Sequence, residues 1–289
     1  MKCPVCYSES FKLRRSLRGY EYETCTTCGA SHVEPFPSPE EALGWYRIDD
    51  YYKNEDKNVG YRDYFEQKEG LQKTFLFRNK FLYRKVGLDG KDILEIGSGP
   101  GFYPPTLDRF HPRAYLGLDL NPQAVAELTK RYPGRVGSIG DLKNGEKFDV
   151  IVFFDVLEHI LDPNEFLNSV KKHLKNNGSV FFTTPSTSSW LAAVSGRRWV
   201  SYIVPQHVIL YNRKSLVWLL KKHGFSAVKM GWDFQWITLR FLVEQVLRLF
   251  LPPGRAHALS RALKRIKWSL PVPNGMHLIV ARADVRVER

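Results

Sequence analysis

The chain has 289 residues, of which 43% are apolar and 13% aromatic, and this content excludes wholesale disorder and allows one full-sized domain with small additions. No uncharged apolar run reaches the ~18–20 residues of a membrane span, and the first residues, MKCPVC, lack the apolar core of a signal peptide, so we expect a cytoplasmic protein. The formal net charge is +13, and the whole excess lies in residues 190–289, which hold 17 Lys and Arg against 4 Asp and Glu.

All four cysteines fall in the first 28 residues, as two Cys-x-x-Cys pairs that 18 residues separate. Two such knuckles aim four thiolates at one ion in a closed tetrahedral site, which leaves no position for a catalytic water. We therefore predict a structural zinc ribbon over residues 1–36, with the ligands Cys3, Cys6, Cys25 and Cys28. Two disulfides are the alternative, which a cytoplasmic location disfavours.

Residues 37–86 form the next predicted unit, a helical lead-in that also serves as a lid over a cofactor. Ser38 has the hydroxyl of an N-cap, and Pro39 suits the first position of a helix. An aromatic-rich stretch follows over residues 45–65, and a helical pattern then runs to about Val86.

From Asp92 onward, strand patterns alternate with helical patterns, which is typical of a parallel, doubly wound α/β sheet. Seven strands are predicted, within the segments ILEI, AYLGLDL, RVGSIGDL, FDVIVFFDVLEH, GSVFFTTPS, SAVKMGW and MHLIVARA. Of the helices between them, one is predicted to begin at Pro104–Pro105, one after the cap Asn121 and one after the cap Asp162.

The loop after the first of these strands, GSGPG, holds three glycines in five residues and predicts a nucleotide site. Its spacing differs from the dinucleotide fingerprint G-x-G-x-x-G, and it lacks the Gly-Lys-Ser/Thr ending of a phosphate-binding loop. Glu95, two residues before the first glycine, would repel a phosphate and attract a cationic amino group. The loop therefore favours a nucleoside that carries an amino acid.

Acidic residues after the next two strands complete this predicted site. Asp119 ends the second strand, where a carboxylate can accept hydrogen bonds from both ribose hydroxyls. Asp141 follows the third strand, where it can meet an adenine amino group while Leu142 packs on the ring. The predicted cofactor-binding residues are Glu95, Gly97, Ser98, Gly99, Gly101, Asp119, Leu120, Asp141, Leu142 and Asp155.

Over nearly the whole chain, these motifs resemble those of class I S-adenosylmethionine-dependent methyltransferases. DILEIGSGPGF is similar to their first motif, YLGLDLNPQAV to the second, FDVIVFFDVLEHILDP to the segment after the third, and LKNNGSVFFTTPS to the fifth-strand motif. The resemblance implies S-adenosylmethionine as cofactor and a Rossmann-like seven-stranded sheet of order 3-2-1-4-5-7-6, with the seventh strand antiparallel. Bacterial methyltransferases that begin with a zinc ribbon and contain a segment like YY…GYRDYF resemble the chain more closely, and they often accompany surface-polysaccharide synthesis.

Catalytic candidates follow the fourth strand, in the segment DVLEH. Ubiquinone-biosynthesis O-methyltransferases have a similar acid-x-x-Glu-His triplet that is associated with a divalent metal. By this resemblance, Asp155, Glu158 and His159 imply a general base or a Mg²⁺ site, although the first acid is Asp here rather than Glu. The alternative is that Glu158 and His159 only brace the following turn, because a histidine in a turn has many local partners.

A second catalytic candidate is His207, which follows a long insertion over residues 186–203 after the fifth strand. Loops at that edge of a sheet carry function, and a histidine is a suitable base for a sugar or phenol hydroxyl. Sugar C-methyltransferases that begin with a zinc domain have a comparable histidine before an aromatic pair. We therefore predict His207 as the leading base, with a buried structural histidine as the alternative.

The predicted reaction is methylation of a small or carrier-linked acceptor, foremost a sugar hydroxyl in surface-polysaccharide or glycolipid synthesis. Ribosomal RNA guanine methyltransferases also pair a zinc ribbon with this fold, and the basic C-terminal third suits RNA. Nucleic acid is the weaker interpretation, because basic and aromatic residues are not concentrated in the ribbon. A non-catalytic zinc-ribbon module with a degenerate methyltransferase fold is the third interpretation, which the intact series of acidic residues disfavours.

The last predicted feature is an amphipathic helical hairpin over residues 236–270, inside a methyltransferase domain that spans residues 87–289. Arg240, Glu244 and Arg248 form a narrow polar stripe on its first helix. Four apolar residues of its second helix share one side: Leu259, Leu263, Ile266 and Leu270. The hairpin covers the substrate pocket or a second copy of the chain in a homodimer, or it rests on an anionic membrane at the inner face and admits a lipid-linked acceptor.

Overall fold

A computed structural model describes residues 2–45, 67–196, 199–247, 251, 253–260, 262 and 268–284. The strands are β1 Phe11–Leu17, β2 Tyr20–Cys25, β3 Ser31–Glu34, β4 Asp92–Ile96, β5 Ala114–Asp119, β6 Gly134–Val136, β7 Phe148–Phe154, β8 Leu174–Pro185, β9 Ile209–Leu210, β10 Phe225–Thr238 and β11 Ser269–Ala283. The helices are α1 Pro39–Gly44, α2 Lys68–Val86, α3 Pro122–Leu128, α4 Pro163–Lys172, α5 Trp190–Ser195, α6 Arg213–Lys222, α7 Leu239–Leu247 and α8 Pro253–Ser260.

The larger sheet has seven strands in the order β10-β11-β8-β7-β4-β5-β6. Strands β4 to β8 pair in parallel, whereas β11 pairs antiparallel with both β8 and β10. Numbered within this sheet, the order is 3-2-1-4-5-7-6 with the seventh strand antiparallel. The predicted Rossmann-like topology is therefore confirmed.

The central strands are buried on both faces, because alternate side chains point to opposite sides of the sheet. Ile93 and Val150 belong to a core cluster with Phe75 and Leu82 of α2. On the other face, a second cluster holds Leu94 and Phe153 together with residues of α4, α6 and the N-terminal cysteine segment. The sheet is thus the middle of three layers, and the N-terminal segment packs on one of its outer layers.

Three helix starts confirm the local sequence signals. Ser38 and Glu41 form a reciprocal capping box at α1, with Pro39 as its first residue. The Asn121 side chain accepts hydrogen bonds from the amides of Gln123 and Ala124 at the start of α3. Asp162 does the same at α4. Each cap satisfies backbone donors that a helix leaves unpaired at its first turn.

Two predicted elements differ in the structure. The helix expected at Pro104–Pro105 is a pair of short 3₁₀ turns, Pro104–Thr106 and Asp108–Phe110, and the left-handed residue His111 ends them. The predicted hairpin is shorter, because residues 236–238 and 269–270 continue β10 and β11 as paired strand. Leu270 therefore lies on a strand, and Arg248, Leu263 and Ile266 lie outside the described residues.

The second sheet has the order β1-β2-β3-β9, and its fourth strand comes from far along the chain. Residues 31 and 32 of β3 pair antiparallel with Leu210 and Ile209. The sequence does not predict this pairing, since β9 is only two residues long. The N-terminal ribbon is thus joined to the main domain by backbone hydrogen bonds.

Among the helices in the described part of the chain, none has both the length and the apolar character that a membrane span requires.

Candidate active site

A cavity of about 410 Å³ opens at the carboxyl ends of β4, β5 and β7. Residues that follow parallel strands meet at this edge of a sheet, which is where ligands bind in such folds. Some residues of α1 and α2 contribute to its wall, among them Ala42, Leu71 and Arg78. That the unit over residues 37–86 serves as a lid stays a prediction. The apolar lining includes Leu71, Phe75, Phe102, Tyr103, Phe154, Leu161 and Phe166.

The glycine loop forms one side of this cavity. Gly97 has φ +74°, and a Cβ at this position would lie 2.6 Å from Cγ2 of Val156, so the close approach of the loop to the end of β7 requires glycine. The amide of Gly99 donates to Oδ2 of Asp119 at 2.7 Å, which ties the loop to the end of β5. Oγ of Ser98 is buried beside the cavity and has no hydrogen-bond partner among the described residues.

Two buried acidic side chains, Glu95 and Asp119, line the cavity. Glu95 is 2% exposed and accepts a hydrogen bond from the Tyr115 hydroxyl. Burial, with the nearby charge of Asp119, raises the pKa of Glu95 well above its usual range. A cationic ligand group would favour the ionised form of Glu95. The loop, the unpartnered Ser98 hydroxyl and these two acids fit S-adenosylmethionine, which carries an ammonium and a sulfonium group.

The structure brings seven of the predicted cofactor residues to the cavity: Glu95, Gly97, Ser98, Gly99, Asp119, Leu120 and Asp155. Gly101 instead packs on α3, where a Cβ would lie 2.7 Å from Leu128 Cδ1. Asp141 is exposed, and its Oδ2 accepts from the amide and the hydroxyl of Ser138 at 2.7 and 2.8 Å. Leu142 is buried away from the cavity.

The predicted adenine contacts, Asp141 and Leu142, are thus not where the sequence analysis expected them. Asp141 closes the capping box of its own short turn, so its carboxylate is held at the surface. Gly137, Ser138 and Ile139, the residues just before Asp141, line the cavity instead.

Asp155 and Arg78 form a polar corner of the cavity. Asp155 has φ 58°, a left-handed conformation that costs a non-glycine residue about 1–3 kcal/mol and is typical of functional sites. Its Oδ1 accepts from Thr183 Oγ1 at 2.6 Å. Burial raises the pKa of Asp155, and the Arg78 guanidinium opposes that rise.

Sequence reasoning missed Arg78. It is 3% exposed, and its guanidinium donates to both carboxylate oxygens of Asp233 at 3.2 and 2.6 Å. A feature of the sequence could have indicated it. The polar residues Thr74 and Arg78 are four positions apart on a helix and lie next to the buried Phe75. Such a polar interruption of a buried face indicates a cavity or an ion pair beneath it.

The catalytic candidates form one cluster behind the cavity wall. His159 lines the cavity, while His207 is 7% exposed and does not. Their rings lie 4.8 Å apart at 84°. Nδ1 of His159 donates to Gln206 O at 2.9 Å and Nδ1 of His207 to Ser201 O at 2.8 Å, which leaves both Nε2 atoms as acceptors.

Burial keeps both imidazoles neutral. It lowers the pKa of His159 to about 4. Burial also holds the pKa of His207 well below its usual range, and the nearby His159 adds to that effect. Glu158 accepts from Thr184 Oγ1 at 3.0 Å through Oε2, while Oε1 is buried without a partner among the described residues. Burial and Asp155 raise the pKa of Glu158.

One ligand atom from each of Glu158, His159 and His207 lies within 4.8 Å of the others. A cation held there would meet the unpartnered Glu158 oxygen and two imidazole acceptors. Two imidazoles and one carboxylate suit Zn²⁺ or Fe²⁺ better than Mg²⁺, which prefers oxygen ligands. The structure therefore gathers a ligand set different from the expected Asp155, Glu158 and His159, with His207 in the place of Asp155.

The four cysteines fit a zinc ribbon. Sγ of Cys3 lies 3.7 Å from Sγ of Cys28, and Sγ of Cys6 lies 3.5 Å from Sγ of Cys25. A tetrahedron with Zn–S bonds of about 2.3 Å has sulfur–sulfur edges of about 3.8 Å, whereas a disulfide bond is about 2.05 Å long. The cysteines are accordingly free thiols in a zinc-like arrangement rather than two disulfides.

The chain is similar to several known proteins. The family described as "Methyltransferase domain" matches residues 68–230, more than half of the chain. The ubiquinone biosynthesis O-methyltransferase of Salmonella paratyphi A is 31% identical over 134 residues, which are 43% of this chain and 55% of that protein. The chain thus spans about half the length of the curated relatives it matches.

Two solved structures share the fold. A chain of the complex between the Haloferax volcanii Trm112 methyltransferase activator and a putative methyltransferase has a TM-score of 0.56 at 15% identity, over 77% of this chain and 95% of that one. The magnesium protoporphyrin IX methyltransferase of Synechocystis PCC 6803, solved with bound SAH, has a TM-score of 0.50 at 13% identity, over 83% of this chain and 94% of that one.

Proposed function

Because the chain belongs to the methyltransferase-domain family, we propose that it is an S-adenosylmethionine-dependent methyltransferase that methylates a hydroxyl oxygen of a small or carrier-linked acceptor, with His159 as the general base. The observation that carries this proposal is the position of His159. It is the one histidine among the described residues that line the cavity, and its Nδ1 is already bonded to a backbone carbonyl.

S-adenosylmethionine supplies an electrophilic methyl group when it is bound. Glu95 is assigned to its amino group and Asp119 to its ribose hydroxyls, because both carboxylates line the cavity beside the glycine loop. These residues fix the donor, so the remaining demand on the protein is to position the acceptor and to remove its proton.

His159 meets that demand through its second ring nitrogen. The hydroxyl proton of the acceptor moves to Nε2 of His159 while the oxygen forms its bond to the methyl group. The methyl–sulfur bond of the donor breaks in the same step, and its electron pair stays on the sulfur of the departing S-adenosylhomocysteine. The Gln206 carbonyl holds Nδ1–H and so fixes the tautomer with a basic Nε2. His207, which the sequence analysis favoured as the base, is assigned a supporting position because it does not reach the cavity.

The cavity lining favours an acceptor with an apolar body next to its hydroxyl. Leu71, Phe102, Leu161 and Phe166 present apolar surface around His159 and the loop. A phenol or a sugar on a lipid carrier fits this lining better than a free nucleotide sugar. The similarity to a ubiquinone biosynthesis O-methyltransferase supports an oxygen acceptor.

RNA is the second candidate, and contacts of the ribbon weaken it. Arg14 donates to the hydroxyl of Tyr202 at 3.2 Å, and the Arg15 guanidinium lies 5.0 Å from the centroid of the same ring. These cations thus serve an internal contact between the ribbon and the insertion. Phosphate binding would need them to face a nucleic acid.

The test incubates the purified protein with methyl-deuterated S-adenosylmethionine and three acceptor sets: polyprenyl phenols, lipid-linked sugars, and total bacterial RNA. We expect a product of the first or second set whose NMR spectrum shows a methyl ether. Label in RNA would replace the hydroxyl proposal with the RNA one. A new carbon–methyl bond would overturn the role of His159 as a hydroxyl base.

A further inference from the structure

We propose that the zinc ribbon is a positioning element of the active site, which holds the backbone of the His207 segment and so sets the geometry of the two histidines. The inference rests on the proposed function, because the geometry of the His159–His207 pair matters for the reaction only if His159 is the base. The ribbon and this segment meet in a continuous hydrogen-bonded contact rather than at a loose domain interface.

The backbone carbonyls of three consecutive residues, 206–208, connect the ribbon to His159. Gln206 O accepts from Nδ1 of His159 at 2.9 Å. His207 O accepts from the hydroxyl of Tyr22 on β2 at 2.8 Å. Val208 O accepts from the amide of Val33 on β3 at 3.0 Å. The same short stretch of backbone is therefore held by the catalytic candidate on one side and by the ribbon on the other.

The contact continues to the end of β9. Residues 31 and 32 of the ribbon pair with Leu210 and Ile209. Beyond the strand, Nδ2 of Asn212 donates to the carbonyl of Gly29 at 2.9 Å, and Nζ of Lys214 donates to Thr27 O at 2.9 Å. Both carbonyls lie within the second cysteine knuckle or next to it, so an ordered knuckle presents them in place.

The first knuckle has an equivalent contact. Nδ2 of Asn164 on α4 donates to Pro4 O at 2.7 Å, between Cys3 and Cys6. A metal that orders both knuckles would thus align two sets of backbone acceptors with the main domain. These hydrogen bonds give the ribbon a structural role beside the site, although it holds no catalytic group.

Tyr22 is the positioning residue that tests this inference. Its side chain is fully buried, and its hydroxyl reaches the backbone of His207 from the ribbon. Tyr22→Phe removes that donor and keeps the ring. Tyr20→Phe is the matched control, because Tyr20 is on the same strand, is half-buried, and its hydroxyl makes none of the hydrogen bonds given by the described residues.

The measurements on Tyr22→Phe and Tyr20→Phe require no methyl acceptor. NMR of protein labelled with ¹⁵N-histidine measures the chemical shifts of the ring nitrogens of the two imidazoles. The variants His159→Gln and His207→Gln assign the signals. Amide hydrogen exchange measures how often the backbone of residues 203–210 opens. Calorimetry measures the affinity for S-adenosylhomocysteine. For Tyr22→Phe we expect shifted ring signals and roughly tenfold faster exchange over 203–210, at unchanged zinc content and unchanged affinity. Tyr20→Phe should match the unmodified protein.

Asn212→Asp provides a second variant should Tyr22→Phe fold poorly. An aspartate still caps α6, but it loses the donor to Gly29 O, so we again expect faster exchange over 203–210. Unchanged ring signals and unchanged exchange in both variants would overturn the positioning role. Shifted ring signals in Tyr22→Phe, together with full turnover of His159→Gln on an acceptor identified as described above, would instead overturn the proposed base and leave the positioning role standing.

Discussion

His159 is half-buried and combines two properties: a backbone carbonyl holds one ring nitrogen, and the side chain reaches a cavity. We predict that His159→Gln lowers kcat by about 10²–10⁴-fold, because the proton acceptor is lost while the cofactor contacts remain. Turnover with the identified acceptor measures the first effect, and calorimetry with S-adenosylhomocysteine measures the second.

His173→Gln is the control for this substitution. His173 is buried, and its Nδ1 likewise donates to a backbone carbonyl, Glu146 O at 2.8 Å, but it does not line the cavity. Its replacement should leave kcat within about twofold. Equal losses in the two variants would indicate a stability effect and would remove His159 from the mechanism.

The pH dependence of the reaction follows from the same residue. Burial lowers the pKa of His159 to about 4, and only the neutral ring can accept a proton. The rate should therefore be independent of His159 titration at neutral pH and should fall as the pH decreases through about 4. A pH profile of kcat, with circular dichroism to monitor folding, measures this. An acid limb between pH 6 and 7 that His159→Gln removes would contradict the buried, neutral assignment.

Asp119 and Asp141 give a paired test of the cofactor site. Asp119→Ala should weaken cofactor binding by about 1–3 kcal/mol, since the ribose hydroxyls and the Gly99 amide both lose an acceptor. Asp141→Ala should have little effect, because its carboxylate is engaged with Ser138 at the surface. Calorimetry on both variants is the measurement. A larger loss for Asp141→Ala would restore the adenine contact that the sequence analysis predicted.

Individual elements show which features the sequence can predict. The caps Ser38, Asn121 and Asp162 are found as expected, because capping depends on residues two or three positions away. The β9 pairing could not be predicted, since it joins residues near 31 and 210 through only two positions. Arg78 was missed because its partner, Asp233, is 155 residues distant.

The same distinction explains the error at Pro104–Pro105. Pro104 was expected to open an α-helix, and its fixed φ does suit a first turn. Helical continuation depends on packing that the local sequence does not describe, and the chain forms two 3₁₀ turns that bury Pro104, Thr106 and Phe110. Local composition thus predicted the start of a helical turn and not its type.

The helical pair α7 and α8 is joined by a buried hydrogen bond from Ser260 Oγ to Glu244 Oε2 at 3.1 Å. Beside it, Leu259 is 57%, Trp268 74% and Leu270 47% exposed. We predict that the protein sediments with vesicles rich in anionic lipid and that Trp268→Ala weakens this binding roughly tenfold, because an interfacial tryptophan contributes about 1–2 kcal/mol.

Trp190→Ala is the matched control, since Trp190 is 51% exposed on α5, away from this pair. It should leave sedimentation unchanged. Failure of the unmodified protein to sediment at low salt would leave α7 and α8 as a pocket cover or a dimer contact.

For the whole molecule, the shared core predicts a single unfolding transition. Cys3, Cys25 and Val33 of the ribbon belong to the same buried cluster as Leu167 of α4 and Leu219 of α6. Removing a bound metal should therefore lower the Tm of the entire chain by destabilising that cluster. Calorimetry of the protein with and without a chelator tests this. A separate low-temperature transition for the ribbon would show that it unfolds independently.

The position of β9 has a consequence for how the protein is made. A ribosome releases β3 about 175 residues before the strand that pairs with its edge, an interval of roughly 9–35 s at bacterial and eukaryotic rates of about 5–20 residues per second. During that interval the backbone of β3 offers unpaired donors and acceptors to any other strand. The nascent chain therefore carries an unfinished N-terminal sheet through most of its translation, and the segment that is synthesised first is among the last to complete its hydrogen bonds.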